Sequence, residues 1–482
     1  MRIAERVSTV MTTEAFALHW VTLHGLVVML GLVIYIIASH TLHQRRHPSA
    51  AIAWVVGLVL LPYIALPLYI VFGTRKVANS RQVARLRAYA ARTAGNPSAS
   101  MAGPQQLAAA MALPGVSSYE QLNIHENGAQ ALQALRAIID SATRTLDLCT
   151  YIFGRDGLGD EITQSLKRRA REGLQVRLLV DGIGAYLGGI PDFKKLSAAG
   201  VRTALFVPPW RSSLQGRTNL RNHRKMVIAD GNWLWCGGRN LAIHYFEDGS
   251  ISARKTTPWV DLSFDLRGAL ALQAQQQFAQ DWAFATQEPL TEGAVSAEAE
   301  PQVRLPQAQL IPSGPDQIDD TLYTILVSGF FTSRNRILAV TPYFVPNSTL
   351  LMSLSLAARR GVTVDLVMPR KSNHLLADVA RHRALRDLAA AGVRVWLLPG
   401  MIHAKAVVID DELALAGSAN LDERSLFLNY ELMVAFYDPP DIQRFARWIE
   451  RQRAAAATYR ARPPGLIRDI AEGLLLWIAF QL

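Results

Sequence analysis

The sequence predicts an α/β protein of two similar halves, preceded by an N-terminal hairpin of two membrane-spanning helices. Three observations predict it. A five-residue pattern occurs twice: His223, Lys225, Asp230, Gly237, Asn240, and then His403, Lys405, Asp410, Gly417, Asn420, with identical offsets. Helix-like and strand-like stretches recur in the same order before each copy. Two apolar runs without formal charge stand near the N-terminus.

The chain has 482 residues, enough for about two to three domains. Its formal charge is +11, which suits an anionic partner such as phospholipid, nucleic acid or a phosphorylated metabolite; a plain basic surface is the competing reading. The two cysteines, Cys149 and Cys236, sit in apolar runs without a Cys-x-x-Cys pattern, so they read as buried free thiols.

Taken in order, residues 1–94 read as the membrane hairpin and a basic juxtamembrane segment. The spans cover about residues 15–39 and 51–72, each long enough for a hydrocarbon layer of roughly 30 Å. Pro62 and Pro67 are expected to bend the second span. A cleaved signal peptide fits poorly, because the first run is long and a second follows it. Arg2 and Arg6 share a side with Arg75, Lys76, Arg81, Arg85 and Arg87, which places the large domain in the cytoplasm. Residues 95–112 read as a linker. The first α/β half is expected over 113–285, a connection over 286–305, and the second half over 306–482. The helix–strand alternation predicts a largely parallel sheet in each half. The last ten residues are apolar but too short to span. They read as an interfacial segment anchored by Trp477 and Phe480, with docking on the domain as the alternative.

Alternate strand residues share a face, so His223 and Lys225 point the same way, as do His403 and Lys405. The turns at Asp230-Gly231-Asn232 and Asp410-Asp411 send the chain back, returning Asn240 and Asn420 toward the histidines. Two such halves meeting would place two imidazoles, two ammoniums and two amides around one cavity. Ammoniums and amides suit a phosphoryl group. One imidazole can attack phosphorus while the other protonates the leaving alkoxide. A single His-x-Lys would ordinarily mean a strand edge; the matched duplication makes it a site. No metal and no cofactor is expected, because the lysines supply the positive charge and no carboxylate cluster stands near the motifs. Asp261 follows the first copy and Glu431 the second, each interrupting an apolar run. The expectation is that each orients the histidine of its own copy, Asp261 backing His223 and Glu431 backing His403. Asp265, Asp365, Asp378 and Asp411 read as structural or surface residues.

At these motifs, and in the N-terminal run HPSAAIAWVVGLVLLPYIALPLYIVFGTRK, the chain resembles the phospholipase D superfamily, and within it the bacterial cardiolipin synthase type. The resemblance implies two phospholipase D-like halves with the active site at their pseudo-two-fold junction. It implies a plasma-membrane enzyme of several spans that transfers a phosphatidyl group through a phosphatidyl-histidine, joining two phosphatidylglycerols into cardiolipin with release of glycerol. The site residues it implies are His223, Lys225, Asn240, His403, Lys405 and Asn420, with Asp261 and Glu431 as the carboxylates. His223 is then the attacker and His403 the acid/base, and Asp230 and Asp410 brace the hairpins. Gly238 stands where Ser418 stands in copy two, which is expected to remove one hydroxyl contact to phosphate. A hydrolase releasing phosphatidate and an inactive membrane scaffold are the alternatives. A nuclease fits poorly with two spans, so phospholipid and membrane, rather than nucleic acid, are the expected partners. The sequence leaves no readable mark of oligomeric state.

Overall fold

The computed structural model describes residues 20, 22–38, 48–73, 103–208, 219–246, 259–290, 305–317, 319–465, 469 and 472–473. The basic segment after the second span, most of the connection between the halves and the last nine residues lie outside the described residues. Residues 1–77 with 210–219 form one unit; residues 78–209 and 220–482 form another.

In the first unit, residues 22–38 are helical, followed by α1 (Pro48–Leu60) and α2 (Pro62–Phe72). Among the described residues no helix is long and apolar enough to cross a membrane. For the second run, the expectation of one continuous span is corrected. The second run is divided into helices of 13 and 11 residues, because Pro62 has no N–H to give and its ring forces Leu61 out of helical geometry, to φ −134° and ψ 53°. Gly31 lets the first helix approach α1, since a Cβ there would lie 3.0 Å from Leu58. Tyr69 fills the interior, packed on Tyr35 and Trp54. The outer faces are apolar, with Leu26 68% and Leu60 67% exposed.

The second unit holds both halves. The first builds a seven-stranded sheet in the order β2-β9-β8-β7-β3-β4-β5. After the short β1 (Ser117–Ser118), its strands are β2 (Glu120–Ile124), β3 (Thr145–Thr150), β4 (Gln175–Asp181), β5 (Arg202–Phe206), β7 (Met226–Ala229), β8 (Trp233–Gly237) and β9 (Ser263–Arg267), with β6 (Arg221–Asn222) standing apart. The second half follows the same plan. Its strands are β10 (Gln307–Ser313), β11 (Arg336–Val340), β12 (Phe344–Val345), β13 (Thr363–Pro369), β14 (Arg394–Leu398), β15 (Ala406–Ile409), β16 (Leu413–Gly417), β17 (Leu421–Asp422), β18 (Asn429–Phe436) and β19 (Ala457–Thr458). Here β10-β18-β16-β15-β11-β13-β14 repeats the first order strand for strand.

Within the repeated order only β3-β4-β5 and β11-β13-β14 are parallel. The remaining neighbours along each repeated order are antiparallel, so the expected largely parallel sheet is corrected to a mixed one. The reason is local: each His-x-Lys segment opens a tight hairpin, β7–β8 or β15–β16, and hairpins pair antiparallel.

Amphipathic helices cover the sheets, several of them fixed by side-chain caps. Asn127 caps α3 (Gly128–Ser141), Asp156 caps α4 (Gly157–Arg171), and Asp181 caps α5 (Gly182–Gly188), each accepting from backbone N–H groups of the first turn. The long α6 (Ala269–Thr286) buries Phe278 and Trp282. In the second half the counterparts include α7 (Thr321–Thr332), α8 (Ser348–Arg359, capped by Asn347) and α9 (Leu375–Ala390). The short α10 (Glu423–Phe427) and α11 (Pro439–Ala454) complete the set. Cys149 and Cys236 are buried and free.

The two motif aspartates sit at the hairpin turns in left-handed backbone, Asp230 at φ 55° and Asp410 at φ 51°. Asp230 accepts from the backbone N–H groups of Thr143, Arg144 and Thr145. Asp410 accepts from those of Arg334, Asn335 and Arg336. Each carboxylate thus ties its turn to the loop that starts the neighbouring parallel strand. Four strand residues, or five steps of the chain, separate each aspartate from its motif lysine, roughly 16 Å of extended chain. Both lie at the end of the hairpin away from the histidines.

Removing the buried Asp410 carboxylate strands three backbone donors. Asp410→Ala is expected to lower unfolding stability by about 3 kcal/mol, and Asp410→Asn by roughly half as much, since Asn keeps one acceptor oxygen and tolerates left-handed backbone. Thermal unfolding of the three proteins side by side checks this; an Ala variant as stable as wild type would show that the turn does not depend on this carboxylate.

Candidate active site

The two halves meet through two short parallel contacts. β6 of the first half pairs with β18 of the second, Arg221 against Asn429 and Asn222 against Tyr430. On the other side Val260 bridges Ile402, also in parallel. The His223 N–H then donates to the Tyr430 carbonyl at 2.9 Å, and the His403 N–H to the Val260 carbonyl at 2.6 Å. In parallel pairing the next residue of one strand sits beside the next residue of the other. Glu431 therefore comes beside His223, and Asp261 beside His403.

The side chains follow. His223 Nδ1 lies 3.0 Å from Glu431 Oε1, and His403 Nδ1 lies 2.7 Å from Asp261 Oδ2. The expected pairing within each copy is thus corrected: each histidine is held by the carboxylate of the other half. Neither half contains a complete dyad. Sequence spacing relates residues within one copy and is blind to a register set between copies.

The reading of Gly238 and Ser418 changes with it. Ser418 Oγ donates to Glu431 Oε2 at 2.5 Å and accepts from the Leu432 N–H at 2.9 Å, so its hydroxyl serves the carboxylate. At Gly238 a Cβ would stand 2.2 Å from Asp261 Oδ1. The shorter aspartate fills the space that a side chain would need, and it accepts instead from the Leu262 N–H at 2.7 Å. The Gly–Asp and Ser–Glu combinations are two ways to seat one carboxylate against one imidazole.

Burial governs the charges. It pushes His223 down to about 4 against the pull of Glu431. It pushes His403 down to about 3, with Lys405 adding to the effect and Asp261 opposing it. Burial would raise the carboxyls, but the facing histidines and lysines outweigh it and hold Asp261 down to about 2 and Glu431 below the usual range. The lysines are lowered too, first by burial: Lys225 to about 8 and Lys405 to about 7. At pH 7 the carboxylates are therefore ionised and the imidazoles neutral. A neutral imidazole that donates Nδ1–H to a carboxylate keeps its lone pair on Nε2.

The histidines differ in their surroundings. The His223 side chain is 13% exposed, and its ring packs on Tyr151 at 5.0 Å. The His403 side chain is 5% exposed and lies among Tyr245, Trp259 and Tyr343. Lys225 Nζ donates to the His223 carbonyl at 2.6 Å. Lys405 Nζ lies across the His403 ring, 2.7 Å from Nδ1 and 2.9 Å from Nε2. Asn240 is engaged within the protein: Oδ1 accepts from the Ile152 N–H at 3.2 Å and Nδ2 donates to Tyr245 Oη at 2.7 Å. The Asn420 side chain turns to Asp422. Of the residues expected at the site, the two histidines, two lysines, two asparagines, Asp261 and Glu431 come together; Asp230 and Asp410 do not.

The sequence did not single out Tyr151, Tyr245, Trp259 and Tyr343, nor the buried Arg224. Arg224 Nε donates to the Glu431 carbonyl at 3.0 Å, and its guanidinium pairs with Asp281 and, at 3.4 Å, with Asp316. A charged residue inside the run His223-Arg224-Lys225-Met226-Val227, with Ala404 at the same place in copy two, was the available signal. Among the described residues no group of three or more His, Cys, Asp or Glu could hold a metal ion.

Comparison with known proteins identifies the family of the chain. The family model described as "Cardiolipin synthase, PLD-like domain" matches residues 135–282 and 329–453, and "Phospholipase_D-nuclease N-terminal" matches residues 27–73. Cardiolipin synthase A of Pseudomonas putida is 30% identical over 433 residues, covering 86% of this chain and 87% of that protein. Cardiolipin synthase A of Pseudomonas aeruginosa strain LESB58 is 30% identical over 435 residues, 84% of each. The crystal structure of a phosphatidylserine synthase from Haemophilus influenzae superposes with a TM-score of 0.57 at 14% identity, covering 76% of this chain and 97% of that one, a likeness of fold.

The crossed pairing has a direct spectroscopic consequence. In Glu431→Gln, the 15N resonances of His223 are expected to show loss of the fixed Nδ1–H tautomer while those of His403 stay in place. Asp261→Asn is expected to do the reverse. Each variant disturbing the histidine of its own half would overturn the pairing.

Proposed function

We propose that this chain, which belongs to the PLD-like cardiolipin synthase family of the phospholipase D superfamily, is a membrane-bound phosphatidyltransferase that joins two phosphatidylglycerols into cardiolipin and releases glycerol. The observation that carries the reading is the meeting of two imidazoles, each oriented by a carboxylate of the other half, around Lys225 and Lys405.

In this reading His223 Nε2 attacks phosphorus. A P–N bond forms as the P–O bond to the glycerol headgroup breaks, and His403, which takes up a proton at Nε2 as the phosphodiester anion binds, gives that proton to the alkoxide. The glycerol hydroxyl of a second phosphatidylglycerol then enters. His403 takes its proton, the oxygen attacks phosphorus, the P–N bond breaks and His223 is restored. The greater exposure of His223 supports it as the attacker. The Lys405 ammonium, 2.9 Å from His403 Nε2, supports His403 as the proton carrier. A bound phosphodiester anion favours the charged form of every group it faces, so it raises the basicity of both lysines and of His403 on arrival. Ionised Glu431 and Asp261 stabilise the imidazolium that forms beside each of them.

The exposed apolar faces of residues 22–38, α1 and α2 support membrane association of the first unit. The distribution of Lys and Arg supports a bacterial plasma membrane location with residues 113–482 in the cytoplasm. The two halves are residues 113–285 and 306–482, and the N-terminal helices, the second run broken at Pro62, form the membrane hairpin.

Purified protein given labelled phosphatidylglycerol is expected to yield cardiolipin and free glycerol; phosphatidate as the sole product would replace transfer by hydrolysis. His223→Ala is expected to lose activity by about 10³-fold or more. A variant that keeps turnover near the wild-type rate would remove His223 as nucleophile.

The pH profile follows from the lysines. Lys405 and Lys225 lose their protons as pH rises through about 7 and 8, which removes positive charge from the phosphate clamp. The value of kcat/KM, which reports the free enzyme, is expected to fall on that alkaline limb. It also falls in acid, as His223 protonates near 4. A profile flat from pH 6 to 9 would contradict the clamp.

A further inference from the structure

The catalytic histidines lie at the edge of the sheets where the parallel strands β3, β4, β11 and β13 end, since β7 and β15 run back from the histidines antiparallel to β3 and β11. The chain leaves β4 after Asp181 and β13 after Pro369, equivalent positions in the two halves. Six residues further on each chain carries a leucine, Leu187 and Leu375. Both are outward-facing, 67% and 76% exposed, and each has an exposed apolar companion, Ile190 at 45% and Leu376 at 48%.

Each of these segments is built onto an aromatic residue that packs against a catalytic histidine. In the first half α5 is pressed onto Tyr151: a Cβ at Gly184 would lie 1.8 Å from the Tyr151 carbonyl oxygen, and the Tyr151 ring is 5.0 Å from His223. In the second half Tyr343 Oη donates to Asn373 Oδ1 at 2.5 Å, and its ring is 5.2 Å from His374 and 6.5 Å from His403. The two leucines therefore flank one site. Cations stand close in sequence to both: Lys194 and Lys195 in the first half, Arg370 and Lys371 in the second, all exposed. Asp192, paired with Lys195 at 3.0 Å, is the exposed acid among them. Exposed apolar tips bordered by cations match the two layers of an anionic bilayer surface, acyl chains beneath and phosphates above.

We propose that the segments after β4 and β13 are a pair of lips that enter the surface of an anionic phospholipid bilayer, with Leu187 and Leu375 at their tips, so that a lipid phosphate passes between them to His223 and His403. This deepens the phosphatidyltransferase reading and rests on it for the identity of the lipid.

The test uses the full chain in vesicles of phosphatidylglycerol and phosphatidylethanolamine. Leu187→Cys, Leu375→Cys and, at the far end of the second hairpin, Glu412→Cys are labelled with an environment-sensitive fluorophore; the native cysteines are buried. Labels at 187 and 375 are expected to shift to shorter wavelength and to be quenched by lipids brominated on the acyl chains, while the label at 412 is not. Unquenched labels at 187 and 375 would overturn the proposal. So would a shift that appears in detergent without vesicles and grows with protein concentration, because a second copy would then be the occupant. In parallel, Leu187→Asp with Leu375→Asp is expected to lower turnover of vesicle phosphatidylglycerol on the order of tenfold while turnover of a short-chain, monomeric phosphatidylglycerol stays within about twofold. Equal loss on both substrates would show damage to the site rather than to its access. Wild-type protein inactive on both would sink the phosphatidylglycerol reading, while the fluorescence would still report on the lips.

Discussion

Everything at the centre of this protein depends on two short parallel contacts between its halves. Asn222 beside Tyr430 and Ile402 beside Val260 fix a register, and the register delivers Glu431 to His223 and Asp261 to His403. An imidazole needs an acceptor at Nδ1 if its Nε2 is to be a defined base. Here that acceptor is supplied only by the opposite half. Half the chain folded alone would hold a histidine without its carboxylate and a buried carboxylate without its partner, each unfavourable. The two halves forming a single unit is thus a requirement of the chemistry as well as of packing.

The pseudo-symmetry is broken in the first half by two buried arginines. Arg224 and Arg239 occupy positions where the second half has Ala404 and Ala419. Arg224 is fully buried, yet its charge is met by Asp281 and Asp316, and its Nε grips the carbonyl of Glu431. Arg239 donates to the Tyr245 carbonyl and to Ser263 Oγ, bracing the tyrosine that packs on His403. Leaving such a charge unpaired would cost about 3–5 kcal/mol, so the partners are obligatory and the geometry is stiff. Both arginines act on groups that orient a histidine, and both belong to the half that supplies His223.

What the sequence revealed and what it hid divide along a physical line. Repetition, pleat alternation and turn chemistry are local, and they sufficed to place His223 with Lys225 on one face, to return Asn240 toward them, and to separate the two α/β halves. The carboxylates Asp261 and Glu431 were legible as residues out of place in apolar runs. Their partners were not, because a register between distant segments leaves no trace in spacing. The sheet was read as largely parallel because helix–strand alternation dominates the pattern, while the hairpins that make it mixed are short. The aromatic wall of Tyr245, Trp259 and Tyr343 was hidden for a related reason: it is assembled from both halves, and an aromatic residue in a strand-like run is indistinguishable from core. The apolar runs near the N-terminus were legible as apolar, but hydropathy counts composition and not backbone continuity: where a bend at Pro62 is expected, Pro62 divides the run into α1 and α2.

The electrostatics explain why the site can wait for its substrate. Lys225 and Lys405 are close enough to depress one another's neighbours, and burial strips both of water. Two facing carboxylates, Asp261 and Glu431, keep this cluster tolerable, yet each is already committed to an imidazole. The lysines are consequently under-neutralised, with proton affinities lowered toward neutrality. In the proposed reaction an incoming phosphodiester supplies the missing negative charge. It restores the lysines to full protonation and makes a nearby imidazole a better proton acceptor at the moment a leaving alkoxide needs a donor. A neutral substrate could do neither. A preference for an anionic ligand is thus built into the burial of two lysines.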